Sequence, residues 1–248
     1  MNKIEVMVLN PGAVKDAEQM MVFCARLTQR GHGIHNMEDL LQLKEKSYTE
    51  KTAKTMCKLP HPTIQKFGMI NVAIVGASRR FLAQITRHQN EVKFMSASLQ
   101  YSDYSGEADF CVPIAITRKG PEAVAAYLDT CKAEMQEYAA IIESGVDNDA
   151  AGYVAPQGLR NILIVSATPY QWKHMISQRS CRRNTAETEY VMLLIWNELR
   201  KLSPIFENCG PFCMNGNCKE GKMTCARPID KTWTPEDIIK ADFPEVLE

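Results

Sequence analysis

The sequence predicts an α+β protein of 248 residues, and three features support that class. Apolar residues make up 45% of the chain, which is enough for a substantial hydrophobic core. Short β-branched runs typical of strands are interspersed with longer stretches whose apolar residues recur at helical spacing. A Cys-rich tail follows Pro204. The simplest organisation is one domain that spans residues 1–248.

Four short segments have the composition of strands. The apolar residues of each segment are largely β-branched, and turn residues separate the segment from the next element. Asn10-Pro11-Gly12, for example, marks a turn at the end of the first segment. The predicted strands are Ile4 to Leu9, Phe67 to Val75, Phe110 to Ile116 and Asn161 to Val165.

Longer stretches place apolar residues three and four positions apart, which predicts helices. Ser78 is a favourable N-cap for a helix that carries Gln84, Arg87 and His88 toward its C-terminal end. The polar stretch from Ser102 to Asp109 is a predicted loop. The other predicted helices are Ala17 to Arg30, Tyr48 to Cys57, Pro121 to Glu143, Gln171 to Gln178 and Ala186 to Leu202.

The charge of the chain limits the partners that it attracts. Lys and Arg number 29, as do Asp and Glu, so no net field draws the chain toward nucleic acid or anionic lipid. The N-terminal segment lacks the apolar run of a signal peptide, and no stretch approaches the roughly 20 apolar residues of a membrane span. We therefore expect a cytoplasmic protein with no nucleic-acid or membrane partner, whose nine cysteines stay reduced.

One helix end concentrates polar chemistry. Gln84, Arg87 and His88 lie at positions i, i+3 and i+4, so a continuing helix would present them on one face. A guanidinium fork suits a phosphate or carboxylate, although a helix C-terminus also favours cations without any ligand. The chain then continues with more hydrogen-bonding residues than a core requires, which indicates a bound anion with a polar ring. These residues are Ser96, Ser98, Gln100 and Tyr101.

A second basic cluster lies before the helix predicted from Ala186. Three arginines, Arg179, Arg182 and Arg183, precede that helix start, where backbone amides also favour an anion. Arg160, between a turn and a strand, is a further candidate cation. Glu187 has a structural alternative, since it can form a capping box with Asn184. Separate basic clusters in a neutral chain predict a ligand with several phosphates or carboxylates.

Four ordered segments between residues 58 and 226 resemble one protein family. They are Lys58-Leu59-Pro60-His61-Pro62-Thr63; Gln84 to Gln89 with Ser98-Leu99-Gln100-Tyr101; Pro156-Gln157-Gly158; and Gln178 to Cys181 with Gly210 to Cys225. The second segment resembles a signature that begins Arg-His-Arg and ends Ser-x-Arg-Tyr. The chain thus resembles the flavin-dependent thymidylate synthases, and its C-terminal half resembles their bacterial and phage branch.

The resemblance implies the fold of thymidylate synthase complementing proteins, with a central, mostly antiparallel sheet flanked by helices. It implies a homotetramer whose active sites combine several subunits. FAD would be the cofactor, NADPH the reductant and methylenetetrahydrofolate the one-carbon donor. The pyrimidine deoxynucleotide dUMP would be methylated at C5 to dTMP without an enzyme nucleophile.

The resemblance also assigns roles to residues by position. His88, Arg87 and Ser98 would act in catalysis. Cofactor contacts would come from His61, Thr63, Arg87, Gln89, Arg179, Arg183 and Asn184. Nucleotide contacts would come from Gln84, Ser98, Leu99, Gln100, Arg160, Arg182 and Glu189. No residue is assigned to a metal.

Three positions depart from the family pattern and leave the substrate open. Gln89 and Gln100 stand where the signature has arginines, and Glu189 stands where an arginine is expected to bind the nucleotide. Arg182 or Arg183 would be the replacement. Alternatively, the substrate differs, because the amino group of a cytosine nucleotide such as dCMP suits an acceptor like Glu189 or Gln100. C5 methylation or hydroxymethylation of another pyrimidine nucleotide, or a catalytically silent flavin- or nucleotide-binding homologue, are the alternatives.

The cysteine tail has two interpretations. Cys209, Cys213, Cys218 and Cys225 supply four thiols, the ligand set of tetrahedral zinc, but their spacing lacks a clean Cys-x2-Cys knuckle. We expect reduced, partly buried thiols and no metal. Cys181, which stands among three arginines, is the candidate nucleophile of a rival covalent mechanism.

Overall fold

Four strands form one antiparallel sheet in a computed structural model that describes residues 3–59, 61–106, 108–216 and 218–246. The strand order is β1-β2-β4-β3, and each neighbouring pair is antiparallel. The strands are β1 (Glu5–Val8), β2 (Ile70–Ser78), β3 (Val92–Ser96) and β4 (Arg160–Ala167). The predicted α+β class with an antiparallel sheet is confirmed.

Ten α-helices connect and cover these strands in the described part of the chain. The first three are α1 (Pro11–Arg30), α2 (Met37–Ser47) and α3 (Glu50–Met56), and then α4 (Arg79–Ile85) follows β2 directly. Next come α5 (Ile114–Thr117), α6 (Pro121–Glu143) and α7 (Asn148–Ala151). The last three are α8 (Pro169–Arg179), α9 (Ala186–Leu202) and α10 (Pro235–Asp242).

One face of the sheet is buried in the main core. Alternate residues of β2, such as Ile70, Val72 and Ile74, are fully buried, as expected for a strand with one covered face. Helices α1, α8 and α9 contribute to the same core. The indole of Trp172 in α8 donates a hydrogen bond of 3.0 Å to the carbonyl of Ile70, which fixes this helix to the end of β2.

The other face of the sheet carries exposed apolar side chains. Met7, Ala73, Ile164 and Met95 form one row across all four strands, because the register pairs them in that order. Met7 is 61% exposed and Met95 is 72% exposed, and Ile164 between them is 38% exposed. This apolar row is one continuous surface that the described chain leaves uncovered.

A second, smaller core lies under α6. Phe110, Cys131, Met135, Tyr138 and Leu159 are its main buried members. Phe110 forms an isolated bridge to Leu159, and the hydroxyl of Tyr138 accepts a hydrogen bond of 3.3 Å from the backbone N–H of Tyr104. The loop after β3 is thereby held against α6.

The predicted strand from Phe110 to Ile116 is wrong. Only the bridge at Phe110 is strand-like, and the chain turns into α5 at Ile114. Pro113 is the reason, since proline has no N–H for a sheet ladder and here precedes the first turn of a helix.

The helix that follows Ser78 is shorter than expected. It ends at Ile85, so Arg87 and His88 lie in a turn beyond the helix and do not share a helical face with Gln84. The side chain of Ser78 does cap this helix, as predicted, because its Oγ accepts from the N–H of Phe81 at 3.1 Å. Strand β3, which follows the turn, was not predicted.

Candidate active site

Arg179 and His88 form the centre of a polar cluster at the end of α8. The Nε of Arg179 donates to Nε2 of His88 at 2.9 Å. Nη1 of the same guanidinium donates to Oδ1 of Asn184 at 3.3 Å. Arg87 lies close enough for its charge to lower the pKa of Arg179 further, after the larger effect of burial. The structure therefore brings together four residues that the sequence placed in the site.

Local structure positions helix α8 and the side chain of Asn184. Thr168 caps α8, and its hydroxyl donates to Glu91 at 2.9 Å, so the start of α8 is tied to the start of β3. The amide nitrogen of Asn184 donates to the carbonyls of Gln178 and Cys181 at 2.8 and 3.0 Å. Since both amide protons are used in this way, the oxygen of Asn184 is oriented toward Arg179.

His88 is neutral in this environment. Burial, together with the nearby charges of Arg179 and His174, lowers the pKa of its imidazole to about 4. Because Nε2 accepts from Arg179, the proton of the neutral ring lies on Nδ1. His88 therefore offers one N–H donor and no positive charge at neutral pH.

The cluster has cations but no counter-ion. Within residues 3–59, 61–106, 108–216 and 218–246, no carboxylate lies at ion-pair distance from Arg87 or Arg179. Arg179 is half-buried, and two neighbouring guanidinium groups repel each other unless an anion lies between or beside them. This arrangement is suited to a phosphate or diphosphate.

The other predicted cofactor residues lie on exposed segments. His61 and Thr63 are exposed and flank the short turn Pro62–Gln65, whose buried residues Ile64 and Gln65 anchor it to the protein. Lys173 of α8 donates to Gln65 at 2.7 Å, so this turn is attached to the same helix as Arg179. The remaining two predicted cofactor residues, Gln89 and Arg183, are also exposed.

Arg160 is engaged within its own chain. Its guanidinium lies 3.2 Å from Asp109 and also donates to the carbonyl of Lys3. It covers the bulge at Gly76, where φ is +87° and a Cβ would meet the guanidinium of Arg160. Glycine suits this position because side chains with a Cβ rarely adopt such a positive φ.

Arg182 is also engaged within the chain. It makes a two-point ion pair with Asp242 of α10, at 2.6 and 2.9 Å, and donates to the carbonyl of Arg227 at 2.8 Å. Glu189 is buried beside this pair, and one of its oxygens has no hydrogen-bond partner among the described residues. Burial, together with the neighbouring Asp242, raises the pKa of Glu189 to about 8.

The titration of Glu189 gives a testable pH dependence. An unfolded Glu titrates near 4.5, so between that pH and about 8 the folded chain keeps a proton that the unfolded chain has lost. This stabilisation is complete below the unfolded pKa and disappears as the pH rises through the folded pKa. We therefore expect the difference in melting temperature, Glu189→Gln minus wild type, to become more positive as the pH rises from 5 to 9.

Thermal melts of both proteins across that range, with the surface variant Glu198→Gln as the control, measure this effect. Glu198 lies on the same helix and pairs with Lys201 at the surface. Parallel curves for Glu189→Gln and wild type would show that Glu189 is ionised at neutral pH.

The segment from Ser98 to Tyr101 forms a polar turn. The Oγ of Ser98 accepts from the N–H of Gln100 at 3.1 Å, and Leu99 packs against Gly152. Gln100 is exposed, whereas Gln84 in α4 is half-buried. Among the described residues, no hydrogen bond or ion pair joins this turn or Arg160 to the His88–Arg179 cluster within one chain.

Three site neighbours were missed or misread in the sequence. His174 is exposed, and its ring meets that of His88 edge-on at 5.8 Å. Asp242 was not singled out. Glu187 does not cap α9 with Asn184, because Thr185 is the N-cap; its carboxylate instead accepts from the N–H and Oγ of Ser78 at 2.6 and 2.5 Å.

The cysteines of the tail are divided by the fold. Cys209 is buried, and burial raises its pKa to about 12. Cys213, Cys218 and Cys225 line a cavity together with Cys181. The thiol of Cys181 is half-buried and its pKa is raised, chiefly by burial, which does not favour the thiolate that a nucleophile requires.

Sequence comparison with known families gives one decisive match. The family model described as thymidylate synthase complementing protein matches residues 12–205. The chain belongs to this family. It is therefore a member of an enzyme family of the methyltransferase type, and the resemblance inferred from the four segments is confirmed.

Relatives and solved structures agree with this family membership. A flavin-dependent thymidylate synthase of Geobacter sulfurreducens is 26% identical over 219 residues, which cover 87% of this chain and 91% of that protein. A protein of the same name from Thermococcus onnurineus is 27% identical over 172 residues, or 66% of this chain and 69% of that protein.

Two solved structures share the fold. The UMP/dUMP methylase PolB of Streptomyces cacaoi, bound to 5-Br dUMP, superposes with a TM-score of 0.64 at 17% identity and covers 82% of this chain and 93% of its own. Thymidylate synthase X of Helicobacter pylori, with FAD and dUMP, gives a TM-score of 0.58 at 17% identity, with 83% and 98% coverage. In the described residues, no helix of this family member is both long and apolar enough to cross a bilayer.

Proposed function

We propose that this protein methylates C5 of a pyrimidine deoxynucleotide, dUMP to dTMP, in a cytoplasmic, FAD-dependent reaction with methylenetetrahydrofolate and NADPH. The observation that carries the proposal is the His88–Arg179 cluster, which concentrates cations without a counter-ion. Family membership supplies the reaction class, and the named relatives and neighbours support flavin and dUMP as ligands. Residues 1–248 would form a single domain with this activity.

The cluster fits the anionic part of FAD. Arg87 and Arg179 would bind the diphosphate, which would relieve the repulsion between their guanidinium groups. Asn184 orients Arg179 for this contact. When bound, the flavin would supply the redox chemistry, and the protein would supply binding and orientation. The exposed residues His61, Thr63, Gln89 and Arg183 are the further proposed cofactor contacts.

His88 would act as a neutral donor. Its Nδ1–H remains available because Nε2 is occupied by Arg179. A neutral imidazole can orient a polar ring of folate or flavin without adding charge to a site that already has two arginines. With the proton fixed on Nδ1, His88 has a defined role in positioning across the physiological pH range.

The nucleotide would lie at the polar turn of Ser98, Leu99 and Gln100. Gln84, from the same subunit or from another one, would also contact it. Arg160 and Arg182 can reach a phosphate only by exchanging their partners Asp109 and Asp242. Glu189 is buried and holds a proton at neutral pH, which weakens its assignment as an acceptor for a cytosine amino group. Gln100 is exposed and could still accept from that amino group, so dCMP is included in the turnover assay below.

The apolar row on the sheet supports the proposed homotetramer. Its members Met7, Ile164 and Met95 are large and exposed in one chain. A contiguous exposed apolar surface of this kind marks a protein interface. An interface here would also allow the Ser98 turn of one subunit to complete the His88–Arg179 cluster of another.

Ile164→Glu tests this interface. Placing a carboxylate at the centre of the row should dissociate the tetramer, because a charge buried without a partner costs several kcal/mol. Light scattering coupled to size exclusion measures the mass. Met37→Glu, at an exposed position of α2, is the control and should leave the mass unchanged. An unchanged mass for Ile164→Glu would place the interface elsewhere.

A turnover assay tests the function. The enzyme is supplied with FAD, NADPH and methylenetetrahydrofolate, and only the pyrimidine nucleotide is varied, with products identified by mass. Formation of dTMP from dUMP supports the proposal. Conversion of dCMP alone would establish the other substrate, and a flavin-coloured protein that converts no pyrimidine nucleotide would be a silent homologue.

A further inference from the structure

Glu91 closes the turn that carries Arg87 and His88. This turn connects the end of α4 at Ile85 to the start of β3 at Val92. Glu91 is its last residue and has a φ of +55°, which lies in the left-handed region. Among the residues that the structure describes, only one other non-glycine residue has a positive φ. A residue with a Cβ adopts this conformation at a cost, and it stays there only where other contacts hold the backbone.

Both the main chain and the carboxylate of Glu91 bind Thr168, the N-cap of α8. The carbonyl oxygen of Glu91 accepts a hydrogen bond of 3.3 Å from the N–H of Thr168. Its Oε2 accepts from the hydroxyl of Thr168 at 2.9 Å, and that hydroxyl in turn accepts from the N–H of Gln171 at 3.3 Å. Because α8 ends at Arg179, Glu91 attaches the His88 turn to the helix that supplies Arg179.

The second carboxylate oxygen of Glu91 binds a third segment of the chain. Oε1 lies 2.6 Å from the ammonium nitrogen of Lys66. Lys66 directly follows the short turn Pro62–Gln65, which begins after His61 and contains Thr63. One carboxylate therefore connects three segments, and each of them carries residues that are proposed to bind the cofactor.

Stability alone is a poor explanation for this arrangement. The side chains of Lys66 and Glu91 are 36% and 28% exposed, and an ion pair with that much access to water contributes little to the free energy of folding. The left-handed backbone of Glu91 works against folding as well. What the contacts do achieve is geometric, since they limit how far the three segments move relative to one another.

We propose that Glu91 is a positioning residue of the active site, which holds the Arg87–His88 turn, the Pro62–Gln65 turn and α8 in a fixed relative position. Glu91 acts through these segments and does not itself touch a ligand. Its expected effect on FAD binding rests on the function proposed above. Its expected effect on the hydrogen bond between His88 and Arg179 does not.

The hydrogen bond between His88 and Arg179 makes this role measurable. Nε2 of His88 accepts from Arg179 only while the turn stays at its present distance from the end of α8. In that position burial, together with the charges of Arg179 and His174, lowers the pKa of His88 to about 4. If the turn moves away after Glu91 is replaced, the imidazole becomes more exposed and its pKa rises toward the ordinary value of 6.5.

Two variants separate the carboxylate of Glu91 from its backbone. Glu91→Ala removes the carboxylate but leaves a Cβ in the left-handed conformation, whereas Glu91→Gly also removes that unfavourable conformation. Glu91→Gly should therefore melt at a higher temperature than Glu91→Ala. Both variants should nevertheless bind FAD about tenfold more weakly than the wild type, which corresponds to about 1.4 kcal/mol. Flavin fluorescence titration of the apoproteins measures the affinity.

Glu198→Ala is the control for these variants. It also removes a carboxylate that pairs with a lysine, because Glu198 lies 2.7 Å from Lys201 at the surface of α9. This variant should bind FAD like the wild type.

A second measurement uses no cofactor. NMR titration of the imidazole C–H signals gives the pKa of His88 in each protein, and His88→Gln identifies the signal. We expect a pKa of about 4 in the wild type and in Glu198→Ala. In both Glu91 variants we expect a value about one pH unit higher.

Three outcomes distinguish positioning from stability. Wild-type FAD affinity together with an unchanged pKa of His88 in folded Glu91→Gly would overturn the proposal. Weak FAD binding in Glu91→Ala that recovers in Glu91→Gly would also overturn it, because the loss would then come from the backbone and not from the carboxylate. A raised pKa of His88 in both Glu91 variants, with a wild type that binds no FAD, would support the positioning role and reject the proposed cofactor instead.

Discussion

Arg179→Ala is expected to bind FAD about 10- to 150-fold more weakly than the wild type. The range corresponds to the roughly 1.5–3 kcal/mol that a hydrogen bond to a charged group contributes. Arg179 donates to His88 and Asn184, so its loss also releases the side chains that orient the site. Flavin fluorescence titration of the apoprotein and the flavin absorbance of the purified protein measure the effect.

The control for this experiment is Arg26→Ala. Arg26 lies on α1, where its guanidinium donates to the side chain of Gln29 at the surface. Its variant should bind FAD like the wild type. Undiminished flavin affinity in a folded Arg179→Ala protein would remove the cation cluster from the cofactor site and with it the main support for the proposed function.

Arg182→Met is expected to lower the free energy of unfolding by about 3–5 kcal/mol, the usual cost of removing one partner of a buried ion pair. Arg182 and Asp242 are only 10% and 16% exposed, and Glu189 is buried beside them. Without the guanidinium, two carboxyl groups share this site with no ion-pair partner. The melting temperature should fall by roughly 6–20 °C.

Arg183→Met provides a matched control at the next position. Arg183 is exposed, and its variant should stay within about 0.5 kcal/mol of the wild type. Denaturant unfolding of both variants gives the comparison. Equal stability of Arg182→Met and Arg183→Met, with a loss of nucleotide binding only in the former, would show that Arg182 serves the substrate and not the fold.

Local signals were sufficient for the long elements of the fold. Helices α6 and α9 have the predicted bounds, because each carries helical apolar spacing over many turns and a defined start. Strand β3 was missed since only five residues, Val92–Ser96, separate two polar stretches. Its weak alternation of Val92, Phe94 and Ser96 was the available signal.

The sequence could predict which residues belong to the site, but not which distant residues they contact. Arg179 and His88 were both expected, but the hydrogen bond between them joins residues 91 positions apart. The partners of Arg160 and Arg182 could not be predicted, because charge alone does not identify which acid a cation meets in the fold. Such long-range pairing depends on how the sheet and α10 are placed.

The position of Asp242 has a consequence for where the folding unit ends. The family model stops at residue 205, yet the counter-ion of Arg182 arrives 37 residues later, and Arg118 also reaches the carbonyl of Asp242. A fragment that ends with the matched region would lack Asp242 and α10, so the half-buried guanidinium of Arg182 would lose its ion-pair partner. Shortened versions of this protein intended for expression or crystallisation should therefore keep the chain through α10.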